Sequence, residues 1–142
     1  MECELPRVNE SNDEIKKIFE DTKTIVVPGL SPDESKPSHR VAKYLQSVGY
    51  KIVPIYPKGD EILGEKVYKS ILDVPFEIEM IDMFRKPSIA DEMVDIIKKR
   101  GDIKFLWLQK DIVNNSASQR AKDMGIKVVQ NKCTMVEHKA LF

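Results

Sequence analysis

Residues 24–45 read TIVVPGLSPDESKPSHRVAKYL, and the order of residue types in that stretch decides the fold. The β-branched run from Thr24 to Val27 reads as a buried strand. A single glycine, Gly29, follows it, and then a polar loop stiffened by two prolines. Pro37 suits the first turn of a helix whose inward stripe is Val41, Tyr44, Leu45 and Val48, and Gly49 stops that helix where a positive φ is needed. Strand, ligand-sized loop and helix in that order are the opening unit of an α/β sheet.

The flanking chain repeats the alternation. Upstream, residues 11–20 read as a short helix that Ser11 or Asn12 caps, with Ile15, Ile18 and Phe19 on one face. Downstream, residues 51–57, 77–84, 103–109 and 126–130 read as four further strands. Between the third and fourth strands a helix opens at Pro87 and carries Ile89, Met93, Ile96 and Ile97 on one side. It ends in Lys98, Lys99 and Arg100 before Gly101, cations that complement its negative end. Asn114 or Asn115 caps another helix that runs to Met124 and stops at Gly125, and a short helix around residues 135–139 closes the chain. Residues 58–75 read as loop, with one helical turn near Ser70–Leu72. The expectation is a single Rossmann-like α/β domain over residues 22–142, with residues 1–21 as a helical N-terminal extension. Its sheet has five mostly parallel strands with helices on both faces, because near-continuous apolar strands must be covered on both sides.

The bulk numbers fit one small domain. A chain of 142 residues buries roughly 70% of its unfolded surface, enough for its own core. Lys+Arg and Asp+Glu both number 23, and that balance argues against nucleic acid as the main partner. No apolar run reaches membrane-spanning length, and residues 1–10 lack a signal-peptide core, so a cytoplasmic protein is expected. Cys3 and Cys133 give no disulfide framework.

In such a sheet ligands bind at the carboxyl ends of the strands, where the strand order reverses. After the first strand, Gly29, Leu30 and Ser31 offer a close backbone approach to a phosphate, and Ser31, Ser35 and Ser38 add hydroxyls. The dinucleotide pattern GxGxxG is absent. After the second strand comes Lys58, where nicotinamide sites usually place an acid on the ribose hydroxyls. A cation there suits a phosphorylated ribose, which leaves NADP and coenzyme A open. After the third strand come Phe84 and Arg85, an aromatic and a cation able to border a nucleotide, and after the fourth comes Gln109, beyond Trp107 in the core. Each has a bland alternative: a tight turn for the glycine, solvated surface for Lys58, a surface ion pair for Arg85.

The segments GLSPDESKPSHRVAKYL, VPIYPKGDEILGEKVYKSILDVP, IDMFRKP, WLQ with Asn114 beyond it, and NKCTMVEH, taken together, resemble the small stand-alone CoA-binding protein family. That family shares a Rossmann-like domain with the CoA-binding part of the succinyl-CoA synthetase alpha subunit. The resemblance runs in order from about Ile25 to His138. It implies that the Gly29–Ser31 backbone and Ser38 hold phosphates, that Lys58 lies at the 3′-phosphorylated ribose, and that Phe84 and Arg85 border the nucleotide. Two departures stand out: Pro28 where members keep an apolar strand residue, and Lys110-Asp111 where a glycine soon follows WLQ. Pro28 removes a backbone donor, and Asp111 sets an acid beside the site.

The expected function is a binding, sensing or regulatory module for CoA or acyl-CoA without chemistry of its own. The alternatives are an NADP-dependent oxidoreductase and an interaction domain without a ligand. The synthetases take their phosphohistidine from a further domain. His39 and His138, with the two cysteines, do not suggest a metal site. Cys133 precedes a helix whose N-terminus could activate it, although a free cysteine is more often a small buried apolar residue. Exposed apolar residues at the end of the chain, Ala140, Leu141 and Phe142, would allow a homodimer.

Overall fold

The computed structural model describes residues 5–142; Cys3 lies outside the described residues. Helix α1 (Asn12–Glu20) starts at Ser11, whose side chain accepts from the Glu14 N–H, and buries Ile15, Ile18 and Phe19. Strand β1 (Thr24–Pro28) is buried throughout. Helix α2 (Pro37–Ser47) follows the loop, with strand β2 (Lys51–Ile55) after it. A small antiparallel ladder of β3 (Glu61–Ile62) and β4 (Glu65–Lys66) interrupts what reads as loop, and the helical turn is a 3₁₀ turn at Ile71–Asp73. Strand β5 (Met80–Met83), helix α3 (Ile89–Arg100), strand β6 (Phe105–Leu108), helix α4 (Asn115–Asp123), strand β7 (Lys127–Val129) and helix α5 (Thr134–Leu141) complete the chain.

The five main strands form one parallel sheet in the order β2-β1-β5-β6-β7. The chain therefore builds outward from β1 to one edge and returns to build the other side, and the order reverses between β1 and β5. Pleating sends alternate side chains to opposite faces. Ile25, Val27, Met80, Trp107 and Val129 pack with α1, α2 and α5, while Val26, Ile81, Met83, Leu106, Leu108 and Val128 pack with α3, α4 and the 3₁₀ turn. These observations bear out the Rossmann-like α/β reading with helices on both faces.

Two features close the sheet's edges. At β2, Pro54 faces outward as an edge proline can, its carbonyl accepting from the Tyr68 N–H at 3.0 Å, and the Tyr56 N–H donates to the Tyr68 carbonyl at 3.2 Å. At β7 the covering is made of side chains. Val128 N–H donates to Glu10 Oε2, Gln130 N–H to Asn9 Oδ1, and Asn9 Nδ2 to the Gln130 carbonyl. Gln130, fully buried, ties the same segment to α4 by donating to the Val8 carbonyl and to Asn115 Oδ1 while accepting from the Asn114 N–H. Val8, Asn9 and Glu10 thus pack onto the β7 edge.

Candidate functional site

The carboxyl ends of β1 and β5 meet at the reversal point, and Gly29 makes the meeting possible. Its φ is +84°, and a Cβ built there would stand 2.5 Å from the Phe84 carbonyl oxygen. The structure thus gives this glycine a job independent of any ligand: it lets the two strand ends touch. Pro28 does not displace the loop. It pairs with Ile55 as the last residue of β1, and its carbonyl accepts from the Phe84 N–H at 2.9 Å, so the missing donor leaves that connection intact.

The loop from Gly29 to Ser38 is braced by its own polar groups. The Gly29 N–H donates to the Ile55 carbonyl, the Leu30 N–H to the Val27 carbonyl and the Ser31 N–H to Ser38 Oγ. All three amides assigned to phosphate are therefore engaged within the chain, and the Leu30 side chain is fully buried. His39 is also buried, and its Nδ1 lies 2.9 Å from the Ser31 carbonyl, so it acts as a brace of the loop. Asp33 accepts from both the N–H and the hydroxyl of Ser35, which holds its carboxyl below the usual range. As Oγ of Ser31 accepts from the Asp33 N–H and Oγ of Ser38 from the Ser31 N–H, each serine keeps its hydroxyl hydrogen to give away.

Three neighbouring cavities open along these strand ends, and Arg85 lines all of them. One of about 320 Å³ is walled by Gly29, Tyr56, Pro57, Lys69 and Arg85. A second, about 390 Å³, adds Ser31, Lys36, Pro37, Ser38 and Phe84. Their walls hold cations and hydroxyls and no carboxylate, which suits an anion. The third is the largest, about 510 Å³, and mostly apolar, lined by Pro37, Val41, Phe84, Ile112, Cys133 and Val136 with Gln109 and Asp111.

The predicted residues thus separate. Gly29, Ser31, Ser38, Phe84 and Arg85 come together at the first two cavities, and Gln109 stands in the third. Lys58 is exposed on the loop after β2 and lines none of the three. Lys69, absent from the sequence reading, enters instead, because its neighbour Tyr68 bridges to Ile55 and carries residue 69 back to the end of β2. Asp111 sits at φ +69°, the backbone region glycine favours, and its N–H donates to Asn131 Oδ1. An aspartate thus holds a backbone conformation that suits glycine better. Cys133 is half-buried at the start of α5 and lines the apolar cavity.

Behind the apolar cavity lies a group that the sequence did not betray. Asp82 is fully buried in β5; Gln109 Nε2 donates to its Oδ1 at 2.6 Å and the Thr134 hydroxyl to its Oδ2 at 3.0 Å. Burial pushes its pKa up to about 7, although the bonds from Gln109 and Thr134 pull the other way. His138, on the same helix as Thr134, is bonded to the Tyr44 hydroxyl and packed among Phe19, Tyr50 and Phe142; burial lowers its pKa. It faces the α1–α2 side and does not meet Glu137, which pairs with Lys132. At the terminus Ala140 and Phe142 are exposed while Leu141 is half-buried. Among the described residues no three His, Cys, Asp or Glu side chains gather as a metal site, and no helix is long and apolar enough to cross a membrane.

Comparison with known proteins gives the chain's family. The chain is 35% identical over 134 residues to the uncharacterised protein YneT of Bacillus subtilis, covering 92% of this chain and 96% of that one. It is 34% identical over 118 residues to an ADP-forming acetate–CoA ligase of Methanocaldococcus jannaschii, where the match covers 78% of this chain but only 17% of the ligase. A hypothetical protein from Pyrococcus horikoshii superposes with a TM-score of 0.89 at 38% identity, over 99% of both chains. The profile of the CoA-binding domain family matches residues 23–139, from the residue before β1 into α5, and by that match the chain belongs to the CoA-binding domain family.

Proposed function

We propose that this chain binds coenzyme A or an acyl-CoA across the carboxyl ends of β1, β2, β5 and β6, as a binding, sensing or regulatory module with no chemistry of its own. One observation carries the reading: Arg85 stands where two carboxylate-free, cation-lined cavities adjoin a mostly apolar one. Coenzyme A has that division, a phosphorylated nucleotide joined to a long uncharged arm. In this reading Arg85, Lys36 and the Ser31 and Ser38 hydroxyls meet the phosphates, and Phe84 borders the nucleotide. Gly29 and Leu30 act by shaping the loop. A lysine, Lys58 on the exposed loop or Lys69 in the cavity wall, meets the 3′-phosphate, and Gln109 faces the arm.

The test is calorimetric titration with CoA, dephospho-CoA and NADPH in parallel. Binding of CoA that weakens without the 3′-phosphate is the expected result. NADPH binding and consumption would favour the oxidoreductase alternative, which neither the family nor these relatives support. No heat with any of the three would leave an interaction domain.

A further inference from the structure

The apolar cavity has one polar wall atom whose character the fold sets from behind. Gln109 is buried, and its Nε2 donates both hydrogens inward, to Asp82 Oδ1 at 2.6 Å and to Thr134 Oγ1 at 2.7 Å. Thr134 has one hydroxyl hydrogen and gives it to Asp82 Oδ2. With Asp82 ionised, both inner partners of Gln109 can only accept, so the amide must turn its NH₂ toward them. Its carbonyl oxygen is then left over. Gln109 lines the cavity, and among the described residues the only fully buried side-chain N or O atom without a partner is Ser118 Oγ, so Oε1 opens on the cavity.

We infer that Asp82 and Thr134 are positioning residues that make Gln109 present a hydrogen-bond acceptor to the ligand's uncharged arm, so that the site selects an arm carrying an N–H donor. The inference rests on the CoA reading, in which the arm contains two amides. Protonation of Asp82 would give the carboxyl a hydrogen of its own, and the amide orientation would no longer be fixed. As burial holds that pKa near neutrality, the selection weakens as pH falls through about 7.

The surroundings leave this acid without a compensating charge. On its face of the sheet β1 contributes Ile25 and Val27, β6 and the residue after it contribute Trp107 and Gln109, and α2 contributes Val41, Ala42 and Leu45. The titratable and charged groups nearby are Arg85, Lys110, Asp111 and the Cys133 thiol around the cavity, His39 braced on the Ser31 carbonyl, and His138 bonded to Tyr44. None of them hydrogen-bonds to Asp82; Gln109 and Thr134 are the neutral groups that do.

The experiment compares the affinity for CoA with that for adenosine 3′,5′-diphosphate, which keeps the 3′-phosphate and the inner 5′-phosphate and lacks the outer phosphate and the arm, in wild type and Gln109→Met from about pH 5.5 to pH 8. The arm-less nucleotide ends in a 5′-monoester that ionises in this range while the pyrophosphate of CoA does not, so the wild-type ratio is divided by that of Gln109→Met, and the ligands' own ionisation cancels in the quotient. That quotient is expected to fall as pH drops through about 7, by about three- to tenfold, the value of one neutral hydrogen bond. Gln109→Met should lower the preference for CoA most above about pH 7, and Asp82→Asn, set against it in the same way, should give a smaller quotient that does not vary with pH. A ratio that Gln109→Met leaves unchanged, or a quotient that ignores pH, would overturn the inference while leaving CoA binding intact. Failure of both ligands to bind would overturn the CoA reading, and the inference with it. The Gln109→Met variant and the wild-type profile decide the matter even if Asp82→Asn does not fold.

Discussion

The two ends of the sheet carry similar residues and use them differently. At the amino end every prominent polar group is turned inward to hold the chain. Glu79 Oε1 accepts from the Lys23 and Thr24 N–H groups at 2.8 and 2.7 Å. Arg100 donates to the carbonyls of Ile71, Val74 and Phe76 and to both oxygens of Asp102, which also accepts from the Ile78 N–H. At the carboxyl end Arg85, Lys36 and Lys69 face open cavities with no carboxylate in two of their walls. An arginine at one end is a staple and at the other a receptor. What separates them is whether the fold supplies the anion.

Replacement of Arg100 should break the contrast most severely. Arg100→Met orphans three carbonyls and Asp102 at a largely buried position, and a loss on the order of 3 kcal/mol in chemical denaturation is expected. CoA affinity of the folded fraction should stay unchanged, since the residue is at the opposite end of the sheet. Gly29→Ala should act at the other end, costing about 2 kcal/mol from positive φ and the Phe84 contact and also lowering CoA affinity by shifting the loop. If denaturation shows no loss, the close approach of β1 and β5 does not decide the residue at 29.

A sharper comparison sets Lys69 against Lys58. Lys69→Glu is expected to weaken CoA about tenfold and dephospho-CoA much less, because a wall charge is turned against the 3′-phosphate. Should Lys58→Glu do this instead, the exposed loop folds over the ligand. The smallest effect concerns Asp82. Its raised pKa means that the native state holds a proton the unfolded chain gives up, so its stabilising contribution is full below about pH 4 and is lost as pH rises through about 7. Asn carries no such dependence. Stability of Asp82→Asn minus wild type should therefore rise by about 1 kcal/mol between about pH 6 and pH 7, read from denaturation at the two values.

Most of the scaffold was legible because its signals are local. Asn114 caps α4 by accepting from the Ala117 N–H, and the glycines after α2, α3 and α4 all have positive φ. The strands are found within a few residues of their expected bounds. The missed features depend on long-range partners. Nothing near Lys69 announces that Tyr68 will bridge to β2, and Asp82 sits inside an apolar strand pattern whose polar partners are 27 and 52 residues away. Arg100 reads as one of three cations at a helix end, yet only the return of residues 71–78 beneath α3 explains why an arginine stands there. The candidate residues split in the same way: Gly29, Ser38, Phe84 and Arg85 reach the cavity walls from places after a strand or at a helix start, while Lys58 lines neither wall and Lys69 lines one.

The covering of β7 by Asn9 and Glu10 has a consequence for how this chain meets its copies. The outward N–H groups of Val128 and Gln130 are taken by side chains, so a second molecule has no free ladder on that margin to continue. Removal of the residues before Ser11 would strip that cover and offer β7 as a template for strand addition. Asn9 and Glu10 thus serve as a selvage: they finish the border of a woven sheet so that it does not join to the next.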